Sequence, residues 1–219
     1  MERVPEPELM NEEEQARAYA EADFEAPHSA FVDLLLRHLP QLPESGVAVD
    51  LGCGPGDITF RVARALPGWT IIGVDGAAAM LRHGQEDLMR QSLSERVRLV
   101  HAHLPVNALP SAPFDFLFSN SLLHHLAEPM VLWETIRTFG KPGAPVFIMD
   151  LARPESREEA RRLVEEHSGG EPPILKKDFH NSLLAAYRVE EVEEQLRRSG
   201  LPLEVETVSD RHWIAHGRI

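Results

Sequence analysis

The chain has one cysteine, Cys53, so neither an internal disulfide framework nor a cysteine-built metal centre is open to it. Long apolar runs are also lacking: no window approaches the ~18–20 uninterrupted apolar residues of a spanning helix. The start, MERVPEPELMNEEEQ, is acidic and lacks the basic-then-apolar pattern of a secretory signal. Met10 is an alternative start, with the first nine residues an extension. Positive charge is scarce as well. Lys and Arg number 22 against 35 Asp and Glu, a net charge of −13, and no basic run is longer than pairs such as Lys176-Lys177 and Arg197-Arg198. Binding a polyanion needs a cationic surface that displaces counterions from phosphates. Nucleic acid and membrane are therefore not expected partners, and the cytoplasm is the expected location. What remains is 219 residues with 43% apolar and 26% charged side chains. That is the profile of a globular protein built on one large domain, expected as a monomer or homodimer.

Residues 1–10 are rich in Pro and Glu and read as a mobile, disordered start. From Asn11 to Leu39 the pattern is helical with a break near Pro27, and Phe31, Leu34, Leu35 and Leu39 share one face. Pro40, Pro43 and Gly46 end it. Residues 1–45 thus read as a helical lid ahead of a second region, 46–219, in which strand and helix signals alternate. Strands are predicted at Val47–Leu51, Thr70–Val74, Val97–His101, Phe114–Ser119 and Pro145–Leu151, and helices at Asp57–Leu66, Ala77–Gln91 and Pro129–Phe139. Apolar strands alternating with helices argue for an α/β fold, a parallel sheet covered on both faces and wound right-handedly. After Leu151 the rhythm changes. Helices are predicted at Glu155–His167, Ile174–Tyr187 and Glu190–Ser199, with an insertion over 153–188. Two strands follow, Leu203–Ser209 and His212–Gly217, and their two-residue turn Asp210-Arg211 forces an antiparallel pair.

The chemistry concentrates at the end of the first strand, in Asp50-Leu51-Gly52-Cys53-Gly54-Pro55-Gly56-Asp57. Alternate glycines let a strand turn into a helix with no side chain between ligand and backbone. A dinucleotide fingerprint would carry its third glycine where Asp57 stands, and a negative charge there repels a pyrophosphate. The pair Asp50 and Asp57 suits a cationic ligand without phosphate, and S-adenosylmethionine, with a sulfonium and an ammonium, meets that description. Asp75 ends the second strand, 23 residues after Gly52, where a carboxylate accepts both ribose hydroxyls of a nucleoside. A lone Asp in such a place otherwise serves as a helix cap.

With DLGCGPG, GVDGAAAML, and Phe114-Asp115 followed by Ser119-Asn120-Ser121-Leu122-Leu123-His124-His125-Leu126, the chain resembles the class I methyltransferase family from about Gly46 to its C-terminus. The resemblance implies a seven-stranded, mostly parallel Rossmann-like sheet with helices on both faces and an antiparallel last strand. It implies S-adenosyl-L-methionine as cofactor, with Asp50, Gly52 and Gly54 along its methionine part, Asp75 on the ribose, and Gly76 and Met80 near the adenine. Many members bond the adenine amino group through an acidic residue after the third strand. Here His103 stands in that place, followed by Leu104, whose backbone N–H is a second candidate. Asn120 is the place that contacts the cofactor's amino-acid part and faces the acceptor. The implied activity is methyl transfer to a small polar acceptor by in-line displacement.

A general base is required only where the acceptor must lose a proton. His124 and His180 are the catalytic candidates, with His125 beside the first. Adjacent histidines usually point to different sides, so a shared ion is not expected, and no metal is expected. Acceptor contacts are placed on Tyr19, Asn120, His124, Asp150, Asn181 and Tyr187, with Asp23, Phe24 and Arg153 nearby in the lid and insertion. The bland alternatives are a solvated helix face for 177–182 and simple packing for Cys53. Two other functions compete. A non-catalytic methyltransferase-like subunit that binds a partner would show a damaged cofactor motif, and Gly52, Gly54, Gly56 and Asp75 are intact. A different enzyme on the same fold, such as an aminopropyltransferase or a nucleotide-dependent oxidoreductase, stays open because fold does not set the reaction.

Overall fold

In the computed structural model, which describes residues 1–7 and 9–219, the five apolar runs become five mutually parallel strands. They are β1 (Gly46–Leu51), β2 (Trp69–Asp75), β3 (Val97–His101), β4 (Phe116–Asn120) and β5 (Pro145–Leu151). The terminal pair, β6 (Leu203–Thr207) and β7 (His212–Arg218), completes a sheet of seven among the described residues, in the order β3-β2-β1-β4-β5-β7-β6. β7 alone runs against its neighbours, pairing antiparallel with both β5 and β6. Period-two alternation explains why the central strands read as continuous apolar runs. Ala48, Phe116, Phe118, Phe147 and Met149 face one core, and Val49, Leu51, Leu117, Val146 and Ile148 face the other.

Helices α1 (Glu13–Glu21) and α2 (Glu25–His38) precede the sheet; α3 (Asp57–Ala65), α4 (Ala78–Arg90) and α5 (Met130–Phe139) connect its strands. α6 (Arg157–Ser168), α7 (Pro173–Ala185) and α8 (Val189–Ser199) lie between β5 and β6. The break between α1 and α2 falls at residues 22–24, not at Pro27, which sits in the first turn of α2. First-turn N–H groups have no intrahelical partner, so a proline there removes no bond. α2 belongs to the core: Phe31 is fully buried and meets Phe147 edge-on with centroids 5.2 Å apart. α1 instead packs on α4 and α7, above the strand ends.

The acidic start departs from expectation. The backbone N–H of Val4 donates to the Leu184 carbonyl at 2.9 Å. The Arg3 guanidinium donates to the carbonyls of Ala185 (2.5 Å), His124 (2.9 Å) and Leu126 (3.3 Å), and stacks on the Tyr187 ring at 4.2 Å. Composition signals mobility, but one arginine fork satisfies three carbonyls at the end of α7 and in the turn after β4, and that anchors the segment. Glu8 lies outside the described residues. None of the helices described is long and apolar enough to cross a membrane.

Phe31 fixes α2, and through it the lid, to the sheet. Phe31→Ala should therefore lower unfolding stability by about 3–5 kcal/mol, the usual cost of emptying a buried phenylalanine site. Urea unfolding followed by circular dichroism measures it, and a loss under about 1 kcal/mol would mean that α2 is not docked as described.

Candidate active site

β1 pairs with β2 on one side and β4 on the other, so the loops leaving β1 and β4 part above the sheet and open a crevice. The glycine-rich loop is its floor. Gly52 has φ +74°, and a Cβ there would lie 2.7 Å from Leu122 Cδ1, so only glycine lets this loop pass the segment after β4. A Cβ on Gly54 (φ +53°) would meet nothing within 4 Å. The Gly54 N–H donates to Asp75 Oδ2 at 2.7 Å, and the Ala77 N–H donates to Asp75 Oδ1 at 2.7 Å. Asp50 is buried under the loop, where its Oδ2 accepts the Thr59 hydroxyl at 2.6 Å.

Above this floor lies a cavity of about 640 Å³, within the roughly 300–1,000 Å³ typical of small-molecule sites. Asp50, Gly52, Gly54, Asp75, Gly76, Met80, His103, Leu104 and Asn120 all line it, as do Tyr19 and His124. The lid closes one side: Tyr19, Phe24 and His28 form a run of ring contacts at 4.7 and 5.0 Å. Leu9 reaches over Gly76, and Met10 and Tyr19 pack on Ala16, Ala77, Ala79 and Met80.

At the other end, the 3-10 turn Leu123–His125 holds the two histidines. His124 Nδ1 lies 2.5 Å from Asp150 Oδ1, and both side chains are almost fully buried. Burial alone would push the imidazole down, but the charge and hydrogen bond of Asp150, with the charge of Glu6, hold its pKa above the ordinary value. Burial likewise works against the Asp150 carboxylate, yet His124 keeps it below the usual range. The pair is a buried, hydrogen-bonded imidazole–carboxylate dyad. Glu6 faces His124 Nε2 at 3.5 Å and accepts the Ser182 hydroxyl at 2.9 Å; its carboxyl is pushed up by burial. His125 is pushed down to about 3 by burial and by the charge of His124. The two rings do not diverge as expected; their centroids are 4.2 Å apart, because the tight 3-10 turn carries both toward Glu6.

Several expectations about the insertion need correction. α7 presents Leu175, Asp178, Phe179 and Ser182 to the cavity, the i, i+3, i+4, i+7 stripe of one helix face. His180 and Asn181 fall off that stripe and do not line the cavity; the His180 imidazole is lowered by burial and by the charges of Arg161 and Arg157. Tyr187 lies under Arg3 in the core, and Arg153 is tied to Glu191 at 2.6 Å, so neither reaches the cavity. Asp150 stands behind His124 and does not itself line the space. Asp57 does line it, but its Oδ2 is shared by His28 (2.6 Å) and Arg61 (2.8 Å). Burial opposes ionisation there, but those two bonds hold the carboxylate below its usual range, and its charge is compensated inside the protein. The case against a pyrophosphate therefore rests less on Asp57 than its position suggested. Glu6, Asp178 and Ser182 were missed as site residues. The 175/178/179/182 spacing was available as a signal; nothing in the local pattern marks Glu6.

A sequence model described as "Methyltransferase domain" matches residues 49–146, the stretch that contains the glycine-rich floor, Asp75 and the turn after β4. The trans-aconitate 2-methyltransferase of an Azoarcus species is 32% identical over 136 residues, 62% of this chain and 49% of that protein. A SAM-dependent methyltransferase from Aquifex aeolicus has the same fold, with a TM-score of 0.71, 19% identity, and 94% and 98% of the two chains covered. The plantazolicin methyltransferase BpumL, solved in complex with SAH, gives a TM-score of 0.69 at 13% identity over 94% and 90%.

Residues 49–146 thus match the methyltransferase-domain family, and the fold is the one shared with SAM-dependent methyltransferases. The chain spans about half the length of the curated relatives that it matches first. S-adenosylmethionine is the cofactor that these matches support, and the donor set of the cavity suits it. Each Asp75 oxygen accepts one backbone N–H and keeps a second lone pair, enough for two ribose hydroxyls. The open side of Gly54 admits a ligand against bare backbone. The Asp50 carboxyl, pushed up to about 7 by burial against the pull of its Thr59 bond, regains its charge when a cation comes near.

Two predictions follow from this cradle. Asp75→Ala should lower S-adenosylhomocysteine affinity at least about tenfold, since hydrogen bonds to a charged group are worth roughly 1.5–3 kcal/mol each. It should also lower Tm, because Gly54 and Ala77 lose their acceptor; calorimetric titration and thermal unfolding of one sample read both, and unchanged affinity would leave Asp75 a cap alone. For Asp50, a folded-state pKa raised from 3.8 to about 7 means that ionisation opposes folding, so cofactor-free stability falls as pH rises through that window. A bound cation favours the ionised form, so S-adenosylmethionine affinity should rise with pH up to about 7 and then level. Asp50→Asn should flatten the profile, and an unaltered profile in that variant would assign the dependence to another group.

Proposed function

We propose that this protein is a methyltransferase that transfers the methyl group of S-adenosylmethionine to a small polar acceptor lying against His124, in the part of the cavity walled by the 3-10 turn, α7 and the N-terminal segment. The observation that carries this reading is that the Asp50–Gly54–Asp75 cradle and the Asp150–His124 dyad open into one cavity. The cofactor supplies an activated methyl group on a sulfonium. The chain's own work is alignment, exclusion of water and handling of a proton.

Asp150 fixes the His124 ring by accepting from Nδ1, which turns Nε2 toward the cavity as the atom that takes a proton from the acceptor. Tyr19, Phe24, Leu9 and Met10 cover the cofactor side, and Gln15 of α1 donates to Asp178 of α7 at 2.9 Å, a latch across the mouth. Glu6, Asp178 and Asp150 surround His124 with carboxyl groups, which favours an acceptor that donates a hydrogen bond, such as a hydroxyl, thiol or amine, over one that arrives as an anion. The same charges disfavour a tricarboxylate such as the trans-aconitate named for a relative.

His124→Asn keeps a donor for Asp150 and removes Nε2. It should spare S-adenosylhomocysteine affinity and lower kcat at least about 100-fold, the lower range for a general base. His180→Ala and Asn181→Ala, off the cavity-facing stripe, should leave kcat within about twofold. A homocysteine-forming assay over a panel of metabolite acceptors, run beside calorimetry, measures both. Full turnover in His124→Asn would remove the dyad from the mechanism.

A further inference from the structure

Three side chains converge at the acceptor end without a good hydrogen bond between them: His124 and His125, which line the cavity, and Glu6 beside both. Glu6 Oε1 lies 3.5 Å from His124 Nε2 and 3.4 Å from His125 Nδ1, and the three atoms all fall within 4.8 Å of one another. A good N–H···O bond is ~2.7–3.2 Å long, so these contacts exceed it. They do match the edge of a coordination tetrahedron: metal bonds of ~2.0–2.2 Å to imidazole nitrogen and carboxylate oxygen put the ligand atoms ~3.3–3.6 Å apart.

The surroundings fit the same reading. His125 Nδ1 is buried and has no hydrogen-bond partner among the described residues, an arrangement that proteins rarely leave unexplained. His124 binds Asp150 through its other nitrogen; a carboxylate behind an imidazole is the usual device that aims the inward nitrogen at a metal. The Ser182 hydroxyl donates to Glu6 Oε1 and orients it. The neighbouring charges are Glu6, Asp150 and Asp178 against Arg3, whose guanidinium is engaged by three carbonyls and the Tyr187 ring, so a dication meets a net negative site.

Two other clusters of histidine and carboxylate lack this signature. His38 and His216 meet Glu206 at 2.7 and 3.1 Å, and His167 meets Asp210 at 2.8 Å, ordinary hydrogen-bonding distances at exposed carboxylates.

We propose that Glu6, His124 and His125 bind one borderline divalent transition metal ion of the zinc class beside the cofactor cradle. Three protein ligands leave a coordination position on the cavity side, where an acceptor hydroxyl or thiol binds and loses its proton more readily. With the ion in place, activation of the acceptor passes from His124 as base to the metal. The inference goes beyond methyl transfer and does not rest on it, because binding is measured without turnover.

The test uses the full chain, stripped with a chelator and titrated with ZnCl2 against a chromophoric competitor, and with CoCl2 for visible absorption bands. Expected are one site per chain with micromolar or tighter affinity, cobalt bands of a low-coordinate nitrogen–oxygen site, and at least tenfold weaker binding in Glu6→Ala and in His125→Ala. Asp150→Asn, with the ligands intact, should weaken binding about 10–100-fold through loss of orientation. The double variant His38→Ala/His216→Ala should retain the site, and circular dichroism confirms that each variant is folded. Absence of Zn²⁺ and Co²⁺ uptake by the wild-type chain below about 100 µM overturns the proposal. So does binding that survives both Glu6→Ala and His125→Ala, whichever other cluster then proves responsible.

Discussion

Because β1 is hydrogen-bonded to β2 on one flank and β4 on the other, the connections above its C-terminal edge run to opposite sides of the sheet. That divergence is a consequence of parallel pairing, since right-handed crossovers cannot all lie on one face when the strand order reverses. It opens a space where backbone from one loop and side chains from three strand ends meet. Gly52, Asp75 and Asn120 stand at those ends, and the Leu122 side chain beneath the crevice leaves no room for anything larger than glycine at position 52. The cradle is thus a by-product of sheet topology, and the sequence needs only to keep its side chains small and its carboxylates in place.

The acceptor half is built differently, from pieces distant in sequence. Arg3, Glu6, His124, Asp150 and Ser182 come together because the N-terminal segment lies along the end of α7 and over the turn after β4. No single element would hold such a segment. Its anchorage among the described residues includes the three carbonyls that Arg3 engages, backbone bonds at Met1 and Val4, the Ser182–Glu6 bond and the ring of Tyr187. A cavity wall made of a segment laid on the surface opens at lower cost than one built into the core, which suits a site that must admit and release two ligands.

What was legible in the sequence follows the same division. Apolar runs and glycine turns are local signals with a local cause, so β1 to β5 could be placed from them, and the positions that the resemblance implied for the cofactor line one cavity. The insertion failed on angle: the five polar residues around Phe179 in 177–182 say nothing about which of them faces inward until the helix phase is set by Leu175 and Phe179. His180 and Asn181 were chosen for their chemistry, and a turn of roughly 100° per residue carries them away from the cavity. Pro27 was read as a breaker because its tolerance in a first turn depends on where the helix begins, which composition does not tell. Glu6 was beyond reach for another reason. Its significance comes from contacts with residues more than a hundred positions away, and proline- and glutamate-rich composition, taken alone, points toward disorder.

Charge links the two halves. A chain of net charge −13 would be expected to keep its carboxylates in water, yet Asp50, in the cavity wall, and Glu6, beside His124, are both withdrawn from it with their pKa values raised by burial. Each is costly in the ligand-free protein, because neither has a cationic side chain in direct contact that fully compensates it; Asp50 has a neutral threonine, and Glu6 has a histidine already claimed by Asp150. Asp57 shows that the fold can neutralise a carboxylate when function does not require otherwise, since Arg61 and His28 hold it at hydrogen-bonding distance. The contrast argues that the uncompensated pair is retained for what arrives from outside: at the cradle a sulfonium and an ammonium, at the acceptor end a second positive centre or an ionisable donor. Differential stabilisation of charge in the liganded state is then written into both ends of one cavity, at the expense of stability when it holds no ligand.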